Sequence, residues 1–432
     1  MSWQEKLRNV EPYQAGEQPK IKNLIKLNTN ENPYHPGEKV ISAISDFDAA
    51  ILSLYPNPDA DDLKHSLAQY HGLKDEQVFL GNGSDEVLAL IFLTCFNGQA
   101  PVLFPDISYS FYPVYCELYD LNYEMIPLNE HFEIIKEDYY KENSGIIFPN
   151  PNAPTGLLVS LDFIEDILKH NQNSIVVVDE AYIDFGGESA VTLLEKYPHL
   201  LITQTFSKFR SLAGIRLGVA LGNQEIIAKL YDVKNSFNSY PIDSLAQVIG
   251  KASIDDSFYI KDNARKIIET REYTKRELKN LGFEMPDSYA NFIFIKHPQK
   301  DAEEIFKKLR ENGILVRYFK KPRIDQYLRV TIGTQEQMEI FNQNLVKNFS
   351  LQNVVESITI LNPDKLLDEV EQAVGRLQKI TGRKIEGRIM IGLYVHLCCL
   401  VERLVTKTPI DNYQDLEEFE QKHADFIRQV RD

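Results

Sequence analysis

Ser174-Ile175-Val176-Val177-Val178-Asp179 decides the fold of this chain, because an unbroken apolar run too short for a helix ends abruptly on a carboxylate. Such a run reads as a strand covered on both faces, the condition of strands in a parallel sheet. Working outward, Gln77-Val78-Phe79-Leu80, Pro101-Val102-Leu103-Phe104, Gly145-Ile146-Ile147-Phe148, Leu200-Leu201-Ile202 and Gly218-Val219-Ala220-Leu221 repeat the pattern. Stretches of helical length and spacing lie between several of them, notably residues 85–96 and 161–169. The alternation from about residue 77 to about 250 predicts an α/β domain with a doubly wound, mainly parallel sheet.

Beyond it the pattern changes. Residues 256–280 read as a long charged helix, and 281–349 alternate strands (291–296, 328–331) with helices (302–312, 335–348), a smaller α+β domain. After Ser350 the periodicity is wholly helical, with Asn362-Pro363 as a helix start. The expected division is an N-terminal arm over 1–30, a large domain over 31–255, a small domain over 256–350 and a helical extension over 351–432.

Composition narrows the function classes. The 432 residues are 43% hydrophobic and carry 47 Lys plus Arg against 63 Asp plus Glu, a formal charge of −16. That balance is poorly suited to nonspecific binding of nucleic acid or of an anionic membrane, leaving only a local basic patch open. The first ten residues lack the apolar core of a signal peptide, and no uninterrupted apolar run of about 18 residues is found, so a soluble, cytoplasmic protein is expected. The four cysteines (Cys95, Cys116, Cys398, Cys399) have no metal-ligand spacing and read as buried thiols in a reducing compartment. No metal site is expected.

In open α/β sheets ligands collect where strands end, so the residues after each run carry the chemistry. Gly81-Asn82-Gly83-Ser84-Asp85-Glu86 offers free backbone N–H groups at a helix start, a place for a phosphate. Tyr109 offers a ring to cover a planar group. Asp179, followed by Tyr182, is either a helix cap or a buried carboxylate that needs a cation, and a protonated pyridine nitrogen is one such cation. Thr205-Phe206-Ser207-Lys208 and Leu212-Ala213-Gly214-Ile215-Arg216 then place an amine between hydroxyls and a guanidinium. This set can hold an aldehyde cofactor with a phosphate tail, pyridoxal phosphate, as a Schiff base on Lys208. Singly, each residue has a blander reading as a surface lysine, a turn glycine or a packed tyrosine. The specific signal is their occurrence in one strand-by-strand order.

These segments, with Glu11-Pro12-Tyr13-Gln14, Leu27-Asn28-Thr29-Asn30-Glu31-Asn32, Leu54-Tyr55-Pro56, Asn150-Pro151-Asn152-Ala153-Pro154-Thr155-Gly156, Asp179-Glu180-Ala181-Tyr182 and Leu328-Arg329-Val330-Thr331-Ile332-Gly333-Thr334, resemble the fold type I, class I/II pyridoxal-phosphate aminotransferases over about residues 7–349. The resemblance implies Lys208 as the Schiff-base lysine and Asp179 on the pyridine nitrogen. It puts Tyr182 on the ring hydroxyl and Tyr109 over the ring. Ser84 and Asp85 through their N–H groups, with Thr205, Ser207 and Arg216, would hold the phosphate. Tyr55 would come from a second subunit, making a homodimer. Many relatives have asparagine where this chain has Ala153, and Asn152 stands one residue earlier as a substitute contact to the ring hydroxyl.

Within that family the resemblance points to members acting on L-histidinol phosphate and 2-oxoglutarate. Arg329, a planar fork, would take either a phosphate or a carboxylate, with Arg317, Tyr13 and Tyr55 completing the substrate pocket. Arg317 also reads as an ordinary strand-end arginine. Relatives acting on aromatic amino acids or other phosphorylated amines share nearly all of these motifs, so the amine stays open. A regulator that senses the cofactor or an amine is the alternative from another class, and no helix-turn-helix is found to support it.

Residues 350–432 exceed what such an enzyme needs. Ile360-Leu361-Asn362-Pro363 and the run from Ile391 to Leu404 resemble part of a phosphotransferase-system regulation domain, which makes His396 a phosphorylation candidate. A lone histidine in an apolar helix reads more readily as a core residue, and that is the expectation for His396. A protein partner for the extension is the remaining call.

Overall fold

In the computed structural model, residues 2–13, 16–19, 24–358, 360–382, 385 and 387–406 are described. Gln14 and residues 407–432 of the expected extension lie outside them. The chain forms two compact units, 1–273 with 284–336, and 274–283 with the residues from 337 onward.

The first unit opens with a short strand β1 (Ile25–Lys26). Its main sheet uses β2 (Val78–Asn82), β3 (Val102–Pro105), β4 (Tyr123–Ile126), β5 (Gly145–Pro149), β6 (Val176–Asp179), β7 (Leu200–Thr205) and β8 (Leu217–Gly222). The order is β2-β8-β7-β6-β5-β3-β4. Only β8 runs antiparallel to its neighbours, so the sheet is mainly parallel. Successive side chains point to opposite faces, and two hydrophobic clusters divide the strands accordingly. Ile146, Val176, Val178, Leu200 and Ile202 join one cluster, while Ile147, Val177 and Leu201 join the other. Both faces of β6 are covered by helices, which explains a run with no polar break.

The same unit contains β9 (Phe292–Ile295), β10 (Ile314–Leu315), β11 (Arg317–Tyr318) and β12 (Leu328–Thr331). β1 pairs with β10 in parallel, and β11-β12-β9 form an antiparallel sheet. In that register Arg317 lies directly opposite Arg329. Two guanidiniums so placed repel unless an anion joins them.

In the second unit the helices Pro363–Thr381 and Gly387–Thr406 meet over Leu367, Val370, Val374, Met390, Tyr394 and Cys398. Asn362 caps the first, its side chain accepting from the Lys365 N–H, as the Asn-Pro pair predicts. His396 corrects the expectation of a core residue, because it is exposed. Tyr394 and Cys398 face inward, and two residues of helical rotation from either carry His396 to the opposite side. The stretch Ile389–Thr406 is also a helix long and apolar enough to cross a membrane by length and composition, although His396, Glu402 and Arg403 interrupt its apolar run. Length and composition are met equally by core helices of soluble proteins. Ile389, Leu400, Leu404 and Val405 are exposed on it.

Glu180, next to Asp179, ties the sheet's carboxyl edge to the following loop. Its carboxylate accepts from the Ser189 hydroxyl at 2.6 Å, the Ala190 N–H at 2.7 Å and the Gln204 amide at 3.0 Å. Burial outweighs these donors and pushes its pKa up to about 7. An acid whose pKa is raised by folding contributes stability below its unfolded pKa and loses it as pH rises through the folded value. Melting curves of Glu180→Gln against the parent should therefore shift in the variant's favour between about pH 5 and 8, by on the order of a few kcal/mol. A gap that does not change with pH would remove Glu180 from the titration.

Candidate active site

A cavity of about 440 Å³ opens at the carboxyl ends of β5, β6 and β7, lined among others by Asp179, Tyr182, Ser207, Lys208, Arg216 and Arg329. It lies entirely within the first unit. Asp179 is 5% exposed at the last position of β6. Its two oxygens accept from the Tyr112 hydroxyl at 2.9 Å and the Thr203 hydroxyl at 3.1 Å. Burial raises its pKa, and hydrogen bonds from Tyr112, Thr203 and the Ala181 backbone oppose the rise. The helix-cap reading fails, because the carboxylate is committed to a wall of the cavity.

Lys208 follows β7 and is half-buried, its Nζ donating to the Thr29 carbonyl at 3.1 Å. Desolvation, joined by the nearby Arg329 charge, lowers its pKa to about 8, with Glu31 and Asp85 opposing. The surface-lysine reading fails with it. The Asn32 amide donates to the Lys208 and Phe209 carbonyls at 3.0 and 3.2 Å and holds the turn that carries the amine. Tyr182, 9% exposed, has its hydroxyl in contact with the Asn30 amide.

The candidate phosphate cradle depends on two glycines. The helix Gly83–Cys95 begins at Gly83, so Ser84 and Asp85 stand in its first turn, where backbone N–H groups have no helical partner. Gly83 has φ of +79°, and a Cβ there would lie 2.6 Å from an Arg216 nitrogen. A Cβ on Gly218 would lie 2.4 Å from the Gly83 carbonyl carbon and 2.6 Å from the Ser84 nitrogen. Bare backbone at both positions lets β8 carry Arg216 against the helix start. There the Arg216 guanidinium donates to Asp85 at 2.9 Å, and the Tyr109 hydroxyl donates to the other Asp85 oxygen at 2.8 Å. Thr205 Oγ1 accepts from the Ser207 N–H at 3.1 Å and shapes the loop between.

Arg329 on β12 donates through Nη2 to the Asn28 carbonyl at 2.9 Å, while its Nε is buried without a partner among the described residues. An orphaned guanidinium N–H in a cavity wall suits an anionic ligand. Arg317, Phe319 and Tyr13 complete that end, Tyr13 stacked on Phe111 with ring centroids 4.2 Å apart.

Asn152 lies elsewhere, and Tyr55, expected from a second subunit, is not in the lining of its own chain's cavity. Asn152 is buried behind the wall, its amide donating to the Ile107 carbonyl at 3.0 Å and the Thr155 hydroxyl at 3.1 Å, while Ala153 lines the cavity. Tyr55 is 83% exposed, stacked on Tyr240, and absent from the lining. Tyr112 and Thr203 escaped the sequence reading, and Thr29, Asn30 and Asn32 entered it only within a motif, with no role assigned. Thr203 carried a usable signal, since a β7 residue paired with Asp179 in register is a polar break in an apolar strand.

The family model for aminotransferase class I and II matches residues 22–345. The chain belongs to this family. A curated histidinol-phosphate aminotransferase of Lactococcus lactis subsp. cremoris (strain SK11) is 58% identical over 345 residues, 80% of this chain and 97% of that protein. One of Pseudomonas syringae pv. syringae (strain B728a) is 54% identical over 343 residues, 79% of this chain and 98% of that protein. Among solved structures, the histidinol-phosphate aminotransferase of Clostridium acetobutylicum superposes with a TM-score of 0.69 at 26% identity, covering 74% of this chain and 98% of that one. The Sinorhizobium meliloti enzyme, in complex with pyridoxal-5'-phosphate, gives 0.68 at 21%, covering 74% and 89%. The amine, buried carboxylate and glycine-lined anion cradle found here fit pyridoxal phosphate.

Gly218→Ala should push the Gly83 to Ser84 turn off β8 and weaken capture of pyridoxal phosphate by at least about tenfold, read by equilibrium titration of cofactor absorbance. Unchanged affinity would show that the close approach is not needed for the phosphate.

Proposed function

We propose that this chain uses pyridoxal phosphate to transfer the amino group of L-histidinol phosphate to 2-oxoglutarate, giving imidazole-acetol phosphate and L-glutamate in histidine biosynthesis. The supporting observation is one cavity that joins Lys208 and Asp179 to two arginines, in a chain 58% identical to a Lactococcus histidinol-phosphate aminotransferase over 97% of that enzyme. The two amines of this reaction carry different anions, a phosphate and a carboxylate. Arg329, with an unpartnered Nε, and Arg317 opposite it on β11 suit both in turn.

When bound, pyridoxal phosphate supplies an electron-accepting ring that stabilises the carbanion left at the substrate Cα. The side chains do the rest. Lys208 would hold the cofactor through its amine and, once free, would carry the proton from the substrate Cα to the cofactor carbon that bore the aldehyde. A pKa near 8 keeps a working fraction of its amine unprotonated at neutral pH. Asp179 supplies the negative charge for the pyridine nitrogen, oriented by Tyr112 and Thr203. Ser84, Asp85, Thr205, Ser207 and Arg216 would hold the phosphate, Tyr109 would cover the ring, and Tyr182 would meet the ring hydroxyl. Tyr13 would join the arginines around the substrate. Tyr55, exposed and outside its own cavity, would reach the site of a second copy in a cytoplasmic homodimer. Asn152 receives no cofactor role here. The proposal keeps the division into an arm (1–30), large domain (31–255), small domain (256–350) and extension (351–432), the last offering its exposed apolar residues to a protein partner.

Steady-state assays with 2-oxoglutarate should give a kcat/KM for L-histidinol phosphate at least about a hundredfold above that for phenylalanine or tyrosine, since a phosphate offers the two arginines more charge and more acceptor oxygens than a single carboxylate does. The reverse ranking would move the chain to aromatic substrates, and inactivity with every amine would favour the sensor. Asp179→Ala should lose at least about a hundredfold in kcat with the fold retained. In the apoprotein, the rate of cofactor capture should climb as pH passes through about 8, because only the unprotonated Lys208 amine attacks an aldehyde. A rate that is flat in pH would contradict that assignment.

A further inference from the structure

Asn30 was read only as part of a family motif, yet its hydrogen bonds determine what the Tyr182 hydroxyl can do. The backbone N–H of Asn30 donates to Thr331 Oγ1 at 2.9 Å. Having accepted there, the threonine hydroxyl still has its single proton to give, and it gives it to Asn30 Oδ1 at 3.1 Å. The oxygen end of the Asn30 amide is thereby held toward Thr331. Its NH2 end is left facing Tyr182 and donates to the phenol oxygen at 3.0 Å.

The reversed amide has no comparable solution. Thr331 Oγ1 would then accept two donors while its own proton lacked a partner. Asn30, Thr331 and Tyr182 are all buried, at 1%, 2% and 9% exposure, so an unmade hydrogen bond would be costly. Asn30 is itself held in place, with φ of +57° and its carbonyl accepting from the Asn291 amide at 3.0 Å. Asparagine is among the few residues that tolerate this left-handed backbone.

With its oxygen occupied by the Asn30 donor, the Tyr182 hydroxyl must send its proton elsewhere, and no protein acceptor for it is present among the described residues. Tyr182 and Asn30 both line the cavity. We propose that Asn30 and Thr331 are positioning residues that lock the polarity of the Tyr182 hydroxyl, making it a hydrogen-bond donor into the cavity, toward the anionic ring oxygen of the bound cofactor. The inference rests on the pyridoxal-phosphate reading of this cavity and extends it to two residues that need not touch the cofactor.

The test is a pH titration of the absorbance of the cofactor-loaded protein. A donor to the ring oxygen stabilises the anion left when the proton shared between that oxygen and the Lys208-bound nitrogen is lost, so removing the donor raises the titration midpoint. Tyr182→Phe should raise it by about one pH unit or more. Asn30→Asp, of nearly the same shape but able only to accept, should turn the tyrosine proton away from the cavity and raise it similarly. The added charge would also raise the midpoint, and that contribution would survive on a Tyr182→Phe background. The lock predicts that most of the Asn30→Asp shift vanishes there. Thr331→Val, which changes no charge, should raise the midpoint, and Thr331→Ser should restore it.

An Asn30→Asp shift of equal size with and without the tyrosine hydroxyl, or no shift in Asn30→Asp and Thr331→Val while Tyr182→Phe moves, would overturn the lock and leave the cofactor reading intact. A loaded protein whose midpoint ignores Tyr182→Phe would overturn the lock and the ring-hydroxyl role together. Failure of the parent protein to bind pyridoxal phosphate would overturn the reading on which both stand.

Discussion

A half-buried amine, proposed to react only once it has lost its proton, is the constraint around which the rest of this structure is arranged. Lys208 Nζ donates to a backbone carbonyl, that of Thr29, and stands in the field of Arg329. Desolvation costs a charged ammonium far more than a neutral amine, which is why the lowered pKa marks function. The sheet places Asp179 on the neighbouring strand, where burial acts on a carboxylate in the opposite sense and raises its pKa. A cationic ring nitrogen beside Asp179 and an aldehyde on Lys208 would relieve both groups. Cofactor binding and removal of electrostatic strain are then one event.

The segment Leu27 to Asn32 is the second organising element. Its backbone and side chains meet Lys208 through Thr29, the lysine turn through Asn32, Tyr182 through Asn30 and Arg329 through the Asn28 carbonyl. The Thr331 N–H donates to the Leu27 carbonyl, so the antiparallel sheet carrying both arginines is joined to the same stretch. One extended segment therefore sets the spacing between the amine proposed to do the chemistry and the guanidinium proposed to take the substrate anion. Such spacing needs rigid partners, because reacting groups tolerate little displacement.

The strands of the large sheet were legible because each is apolar on both faces, and β6 with its terminal Asp179 is the plainest case. The edge strand β4 was not, since Tyr123, Glu124 and Met125 are only partly covered and carry no continuous run. The helix after β2 begins at Gly83, two residues before the stretch 85–96 read from its spacing, because glycine at 83 supplies the positive φ of the entry turn. Lys208, Asp179, Tyr182, Ser207 and Arg216 announced themselves at strand ends and do converge. Asn30 could not, since its partner Thr331 is 301 residues away and the pairing exists only once β12 is docked. Asn152 and Ala153 show the limit of reading a motif by position, because a one-residue shift exchanges a wall residue for a buried one.

The most direct test of this account is chemical capture of the lysine. The protein loaded with pyridoxal phosphate would be reduced with borohydride, digested and mapped by mass spectrometry. The account predicts the phosphopyridoxyl mass on Lys208 and its loss in Lys208→Ala. Label on a different lysine, or no stable label on a protein that still turns over, would contradict the assignment of Lys208 as the reactive amine.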